Sequence, residues 1–205
     1  MNTGTLYIIS APSGAGKTSL VKQLAATLDN LTVSISHTTR QARPGEVDGQ
    51  DYYFVSSGQF ADMLNKRAFL EHAQVFDNFY GTAQKTVADN LAKGLDVILE
   101  IDWQGAQQIK TVFPESVAIF ILPPSIEILR ERLNNRGQDD EQTIARRMRD
   151  AVTEMRHHAE FDYLIVNDVF EQALLELKSI LLAQRLTLQK QQARLEPLLA
   201  GLLAG

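Results

Sequence analysis

The chain has 205 residues and a formal net charge of −5, with 44% hydrophobic and 22% charged residues. This size and composition are typical of a globular protein with one or two domains and a substantial core. An acidic protein is a poor partner for polymeric DNA or RNA, which basic surfaces bind. The sequence contains no cysteine, so it forms no disulfide or thiolate metal site, which fits a reducing compartment. With no signal-like N-terminus and no apolar run long enough for a membrane span, we expect a cytoplasmic protein without a membrane partner.

Apolar runs alternate with helix-like stretches, and their order predicts the secondary structure. In chain order we predict a strand at 5–10, a helix at 18–28, a strand at 31–36, a polar loop at 38–50, a strand at 51–55, a helix at 57–66 capped by Ser56 or Ser57, a strand at 69–76, a helix at 82–93 ended by Gly94, a strand at 97–99, a helix at 104–112, a strand at 117–122, a helix capped by Ser125 with Ile126, Leu129 and Leu133 on one face, a turn at 134–140, a helix at 141–160, a strand at 163–166 and a helix at 170–194.

The near-continuous apolar strands predict an α/β fold whose parallel sheet is covered by helices on both faces. Residues 36–93 differ, because they are richer in aromatic and polar residues and their strands alternate as in hairpins. We therefore predict a core of residues 1–35 and 94–205, with residues 36–93 mounted on it as a small α+β insertion.

The C-terminal segment is more apolar than a solvated helix end requires, and its apolar residues are Leu195, Leu198, Leu199, Leu202 and Leu203. Two interpretations stay open for this segment. It packs on the chain's own core, or it contacts another subunit and makes the protein a homo-oligomer through its C-terminal helix.

The most informative motif is APSGAGKT at residues 11–18, between a predicted strand and a predicted helix. A tight glycine-containing turn at a helix start directs several backbone N–H groups at one point, where the helix dipole adds partial positive charge. Such a P-loop binds a nucleoside triphosphate, with Lys17 on the β/γ-phosphates and Thr18 on Mg²⁺. The predicted nucleotide-binding residues are Ser13, Gly14, Ala15, Gly16, Lys17 and Thr18. Position 11 is Ala where the strict motif has Gly, which requires a negative φ at Ala11.

Acidic and basic residues elsewhere fit the same polyphosphate. Glu100 and Asp102 end a buried strand, where ligands of parallel α/β sheets bind, and an acid there can reach the Mg²⁺ shell. We predict Asp102 as an indirect metal partner. Arg132 and Arg136 lie four residues apart on the exposed face of one predicted helix. Guanidinium groups on a closing lid can stabilise a transferring phosphoryl group, although each arginine alone is also compatible with a solvated helix surface.

The predicted insertion contains polar residues suited to a nucleoside monophosphate. Arg40 and Arg43 lie three residues apart in a Pro- and Gly-rich loop and can grip one phosphate. Glu71 is a carboxylate in an otherwise apolar strand, and a carboxylate accepts the two parallel hydrogen bonds that guanine, unlike adenine, offers through N1–H and N2–H₂. A hydroxyl such as that of Ser36 can donate to O6. These residues indicate a guanine mononucleotide, with an outward-facing Glu71 as the alternative.

Six segments resemble the guanylate kinase family in the same order along the chain: APSGAGKT, SHTTRQARPGEVDGQDYYFV, FLEHAQVFDNFYGT, LEIDWQGAQQI, ILPPSIEILRERLNNRG and YLIVND. The resemblance covers nearly the whole chain. It implies a P-loop α/β core, a GMP-binding insertion at residues 36–93 and an arginine-bearing lid at about residues 134–147. It also implies the reaction ATP + GMP = ADP + GDP, assisted by Mg²⁺.

The resemblance also assigns roles to individual residues. It implies that the guanine is bound by Ser36, Glu71 and Glu100, and the GMP phosphate by Arg40, Arg43, Tyr52 and Tyr80, with Thr82 near the base or phosphate. The transferring phosphoryl group would be contacted by Lys17, Arg132, Arg136 and Arg147. Asn167 would lie near the adenine. Many members of the family have Asp at position 100, so the carboxylate of Glu100 reaches farther in this chain.

The sequence also predicts how such a reaction would be catalysed. A GMP phosphate has a second pKa near 6 and is mostly dianionic at neutral pH, so it needs no general base. The four histidines show no spacing typical of a nucleophile or metal site. We therefore expect catalysis by alignment and charge stabilisation in a closed site.

Two alternatives stay open. One is a P-loop kinase for another nucleotide, against which Glu71 and Ser36 argue. The other is a non-catalytic guanylate-kinase-like module that binds a protein, against which the intact Lys17, Thr18 and arginines argue.

Overall fold

The computed structural model describes residues 3–75, 77–135 and 141–204. In chain order its elements are β1 Leu6–Ser10, α1 Lys17–Thr27, β2 Leu31–Val33, β3 His37–Thr38, β4 Tyr53–Phe54, α2 Ser57–Asn65, β5 Phe69–Val75, β6 Asn78–Ala83, α3 Gln84–Ala92, β7 Asp96–Glu100, α4 Trp103–Val112, β8 Val117–Leu122, α5 Ile126–Asn134, α6 Glu141–Arg156, a 3-10 helix His157–Glu160, β9 Tyr163–Val166, α7 Phe170–Arg185 and α8 Leu188–Leu203.

The larger sheet has the strand order β2-β7-β1-β8-β9, and every neighbouring pair is parallel. Alternate residues of β1 enter two separate apolar clusters. Tyr7 and Ile9 pack with residues of α1 and α7, whereas Ile8 packs with residues of α3 and α4. Helices therefore cover both faces of the sheet, and the predicted α/β fold is confirmed.

The smaller sheet has the strand order β4-β3-β6-β5 and lies wholly within residues 37–83. Its β5 and β6 form an antiparallel hairpin, and β6 also pairs antiparallel with β3. The predicted helix at 82–93 begins only at Gln84, because Thr82 pairs with Glu71 and Ala83 with Phe69 in the hairpin. Val87 of α3 packs in the same cluster as β1 and β7. The insertion boundaries at residues 36 and 93 stay a prediction.

The residues predicted to cap or end helices do so in the structure at Ser56, Gly94 and Ser125. The Ser56 side chain accepts from the N–H of Gln59 in a reciprocal capping box, and that of Ser125 accepts from the N–H of Ile128. Gly94 follows α3 with a φ of +79°, the left-handed conformation that glycine adopts without strain. One face assignment in α5 is wrong, because Ile126 is 41% exposed while Leu129 and Leu133 are buried.

Two long predicted helices are shorter than expected. The helix at 141–160 ends at Arg156 and continues as the 3-10 helix. The helix at 170–194 is divided into α7 and α8 at Thr187, whose φ of −58° and ψ of 146° are not helical. The Thr187 hydroxyl donates to Gln184 O at 3.1 Å, a local bond of the kind that competes with helix continuation. Arg185 fixes the end of α7 by donating to Asp96 Oδ2 at 2.8 Å.

The apolar end of α8 does not pack on the chain's own core. Leu198, Leu202 and Leu203 are 55%, 69% and 81% exposed. The interpretation that this segment packs on the chain's own core is therefore wrong for these residues. Among the described residues, no helix combines the length and apolar character needed to cross a membrane.

Candidate active site

A cavity of about 1090 Å³ opens between residues 11–18, the end of β7, the smaller sheet and α6. It brings together most of the residues predicted from the sequence: Ser13, Gly14, Gly16, Lys17, Thr18, Ser36, Arg40, Arg43, Tyr52, Glu71, Tyr80, Glu100, Asp102 and Arg147. Four other predicted residues do not line it, and these are Ala15, Thr82, Arg132 and Asn167. Arg136 lies outside the described residues, as does most of the predicted turn at 134–140.

Residues 11–18 form a tight loop from β1 into α1, which we call the 11–18 loop. Gly14 and Gly16 have φ values of +97° and +93°, which explains why the loop needs glycine at both positions. Ala11 is not among the described non-glycine residues with positive φ, so it meets the requirement for a negative φ at this position. Gly16 is also the N-cap of α1, no described side chain caps this helix start, and residues 16–19 line the cavity. This geometry suits an anion.

Asn167 and Arg132 support the loop from behind. The buried Asn167 side chain donates from Nδ2 to Ala15 O at 2.7 Å, and Arg132 Nη2 donates to Asn167 O at 3.0 Å. A Cβ at Gly16 would lie 2.3 Å from Asn167 Nδ2, so this close approach also requires glycine. The contact of Asn167 with adenine and that of Arg132 with the transferring phosphoryl group stay predictions.

The acidic end of β7 reaches the loop through the sheet register. Ile9 of β1 is paired with Glu100, and Thr18 Oγ1 donates to Glu100 Oε2 at 3.0 Å. Asp102, two residues later, caps α4 by accepting from the N–H of Gly105 at 2.9 Å and from Gln104 Nε2 at 3.0 Å. Glu100 is thus the acid in contact with Thr18, while Asp102 lies at the start of a helix.

Glu71 is buried, with 3% of its surface exposed, so its outward-facing alternative is wrong. Its partner across the hairpin, Thr82, donates from Oγ1 to Glu71 Oε1 at 2.5 Å, and Ser36 Oγ lies 3.4 Å from Thr82 Oγ1. Burial raises the pKa of Glu71 to about 7; Asp102 raises it further, while Thr82 and Lys17 oppose the shift. Glu71 is therefore a carboxyl group that changes charge near neutral pH.

Arg40 lies in a separate basic corner of the cavity. Its Nη2 donates to Glu46 Oε1 at 2.8 Å and Oε2 at 3.0 Å, and its guanidinium lies 5.4 Å from the centroid of the Tyr52 ring. The N–H of Arg43 also donates to Glu46 Oε2, at 2.7 Å. Burial alone would raise the pKa of Glu46, but the hydrogen bonds from Arg40 and Arg43 have the larger combined effect. The pKa of Glu46 is therefore lowered. Sequence reasoning missed Glu46, although an acid in an arginine-containing turn is a signal that could have found it.

Helix α6 contributes Arg147 and Glu154 to the cavity. Arg147 Nη2 donates to Ser13 Oγ in the 11–18 loop. Burial raises the pKa of Glu154 to about 7, against the opposing effects of Lys17 and the Ser13 N–H. Sequence reasoning also missed Glu154, whose only signal is its position seven residues after Arg147 on the same helix face.

No group of three or more His, Asp or Glu side chains in the described parts of the chain is arranged to hold a metal ion. Two oxygen groups beside the 11–18 loop, the Thr18 hydroxyl and the Glu100 carboxylate, are in contact with each other. Mg²⁺ is commonly held by one or two protein oxygens together with substrate phosphates and water. The donor set is therefore compatible with a magnesium ion that arrives with a polyphosphate.

The parallel sheet, the glycine-containing loop before α1, and a smaller sheet that faces the loop across one cavity define the class of nucleoside monophosphate kinases. The guanylate kinase family model matches residues 3–184. The chain is 60% identical over 202 residues to the guanylate kinase of Saccharophagus degradans, covering 98% of each chain. It is 55% identical over 206 residues to that of Escherichia coli, with both chains fully covered. A crystal structure of guanylate kinase from Anaplasma phagocytophilum aligns with a TM-score of 0.78 at 35% identity, covering 91% of this chain and 89% of the other. The chain therefore belongs to the guanylate kinase family, and the resemblance stated from the sequence is confirmed.

Proposed function

We propose that this protein transfers the terminal phosphoryl group of ATP to GMP, which yields ADP and GDP. The observation that carries the proposal is that one cavity, of about 1090 Å³, contains both a helix-start anion site with Lys17 and the buried carboxylate of Glu71. The first group suits the phosphates of a nucleoside triphosphate, and the second suits the N1–H and N2–H₂ edge of guanine.

The 11–18 loop is the proposed P-loop, and it binds the ATP phosphates through its N–H groups and Lys17. Mg²⁺ would be held by Thr18, with Glu100 beside it, because these two oxygen groups already lie 3.0 Å apart. A magnesium ion held there would supply positive charge to offset the negative charge of the phosphates. Asn167 keeps the loop in place and lies near the adenine.

The guanine of GMP is read by Glu71, with Ser36 and Thr82 beside it. The sequence assigned Glu100 to the base and Asp102 to the metal, and we now propose the reverse. Glu100 is bonded to Thr18 in the loop, whereas Asp102 is close enough to Glu71 to raise its pKa. The GMP phosphate is held by the basic corner of the cavity, with the residues Arg40, Arg43, Tyr52 and Tyr80.

Catalysis rests on positioning and charge. The dianionic phosphate of GMP attacks without a general base, and Lys17 and Arg147 neutralise the repulsion between the two anions. Arg132 and Arg136 are proposed to join them when the lid at about residues 134–147 closes. The insertion, proposed as residues 36–93, would close on the core in the same movement. Two ion pairs already link them, Lys22 Nζ–Asp51 Oδ1 at 2.8 Å and Arg146 Nη2–Asp77 Oδ2 at 3.7 Å.

A coupled assay that detects ADP tests the proposal when GMP, AMP, UMP and dTMP are offered in turn with ATP and Mg²⁺. We expect turnover with GMP at a kcat/KM at least about 10³-fold above that with AMP, because a base-reading carboxylate is left without partners by adenine. Equal turnover of AMP would indicate a kinase for another nucleotide. The absence of ADP formation with every acceptor would favour a non-catalytic binding module.

Gly105→Ala is expected to weaken GMP binding by about tenfold or more while ATP binding stays unchanged. A Cβ at Gly105 would lie 2.7 Å from Glu71 Oε2, so the base-reading carboxylate must move. The matched control is Gly58→Ala, because the nearest atom to a Cβ there is Ser56 Oγ at 4.0 Å. Isothermal titration of GMP and ATP into both variants measures the effect. Unchanged GMP affinity in Gly105→Ala would argue against Glu71 as the base reader.

We also propose a cytoplasmic location, where both nucleotides are available, and a homo-oligomer assembled through α8. The exposed leucines of α8 support the second proposal, since single exposed leucines are ordinary but several on one helix are not. Sedimentation velocity is expected to give a molecular mass above 22.9 kDa, and replacement of Leu198 and Leu202 by Ser is expected to restore the mass of one chain. A monomer before substitution would refute the assembly.

A further inference from the structure

A carboxylate that the proposed reaction does not use lines the cavity beside the 11–18 loop. Glu154 of α6 lies near Lys17 and the N–H of Ser13. Two helical turns earlier, Arg147 of the same helix donates to Ser13 Oγ. Because residues seven positions apart share one helix face, α6 presents an anion and a cation to the same loop residue. The helix thus contacts the loop where phosphates are proposed to bind.

The charges around Glu154 explain what its carboxylate does there. Lys17 and the Ser13 N–H attract it, while Asp102 at the start of α4 and Asp150 on its own helix repel it. The same ammonium and the same loop amides are the groups that a bound polyphosphate requires. In the structure described here, the Glu154 carboxylate faces this ammonium and the Ser13 N–H, and Lys17 also acts on the carboxylate of Glu71.

We propose that Glu154 is an internal anion that competes with the phosphates of ATP for Lys17 and the 11–18 loop. The inference rests on the proposed binding of ATP at this loop. A bound polyphosphate adds negative charge beside Glu154, so the carboxylate must either take up a proton or leave the loop. Either response changes the contact between the 11–18 loop and α6, the helix that also contains Arg147.

The competition has a definite pH dependence. Burial raises the pKa of Glu154 to about 7, and the phosphates would raise it further, so ATP favours the protonated form. Below pH 7 the side chain is already neutral and offers little competition. Above pH 7 it is ionised, and its effect on the dissociation constant grows toward tenfold per pH unit. The affinity for ATP is therefore expected to fall as the pH rises.

Glu154→Gln tests the inference by removing the charge and keeping the shape. We expect it to bind Mg·ATP more tightly than the wild type, by about twofold at pH 7 and about tenfold at pH 8. Glu171→Gln is the matched control, because Glu171 is exposed on α7 and away from the cavity, and its loss changes the net charge equally. Isothermal titration calorimetry without GMP gives the dissociation constants. Titrations in buffers of different ionisation enthalpy should also show smaller proton uptake by Glu154→Gln.

Retained GMP binding by Glu154→Gln establishes that the variant is folded, so that its ATP affinity can be interpreted. Equal ATP affinity in Glu154→Gln and Glu171→Gln at both pH values would overturn the inference, as would weaker binding by Glu154→Gln. Failure of the wild type itself to bind Mg·ATP would overturn the proposed function and this inference together, which separates the two cases.

Discussion

Replacement of Lys17 by Ala is expected to lower kcat by about 10³-fold while the dissociation constant for GMP changes by less than about threefold. Lys17 is the cation of the 11–18 loop, so its loss leaves the transferring phosphoryl group without its main source of charge neutralisation. The proposed site of the GMP phosphate is a different corner of the cavity, at Arg40, whose guanidinium the substitution does not touch. A coupled assay measures kcat, and calorimetry measures GMP affinity.

The control for this experiment is Lys85→Ala, which removes the same charge from a side chain that is 85% exposed on α3. It is expected to keep wild-type turnover, because its ion pair with Asp89 is a surface pair of little energetic value. Loss of GMP binding together with turnover in Lys17→Ala would contradict the separate roles of the two corners. One secondary effect is expected: Lys17 lowers the pKa of Glu71, so its removal should shift the pH dependence of GMP binding upward.

The parts of the site that could be predicted from the sequence are those fixed by local structure. A buried strand, a glycine-containing turn and a helix start follow one another within residues 6–27, so the position of Lys17 and Thr18 needs no long-range information. Glu100 follows in the same way from the end of an apolar strand. Even Glu71 could be predicted, because an acid in an apolar strand needs a partner or a ligand.

The parts that could not be predicted depend on contacts between distant segments. The exchange of roles that we propose for Glu100 and Asp102 rests on sheet register, which brings Glu100 to Thr18 across 82 positions of the chain. Glu154 is one acid among several on a polar helix until α6 docks against the loop. The late start of α3 is similar, since hairpin pairing holds Thr82 in a strand against its helical sequence pattern. In α3, tertiary pairing overrides local preference.

Glu71→Gln is expected to weaken GMP binding by about 1–3 kcal/mol, the value of a good bidentate contact to a base. An amide offers one acceptor and one donor where guanine presents two donors, so one hydrogen bond becomes a repulsive contact. The wild type should also lose affinity as the pH falls, because burial raises the pKa of Glu71 to about 7 and guanine binds the ionised form. The carboxylate becomes fully available only as the pH rises well above 7, and below pH 7 each unit costs up to about tenfold in affinity. Calorimetry at pH 6, 7 and 8 measures both effects.

Glu171→Gln, a variant at an exposed glutamate, again serves as the control. The GMP phosphate itself has a second pKa near 6, and any pH effect from it is the same in this variant and in the wild type. Inosine monophosphate sharpens the test, because it lacks the 2-amino group but keeps N1–H. The wild type should prefer GMP to this analogue, and Glu71→Gln should lose most of that preference, since the carboxylate is the group that receives the 2-amino hydrogen. An unchanged preference in Glu71→Gln would mean that another acceptor reads the amino group. Asp102, close enough to raise the pKa of Glu71, would then be the residue to replace next.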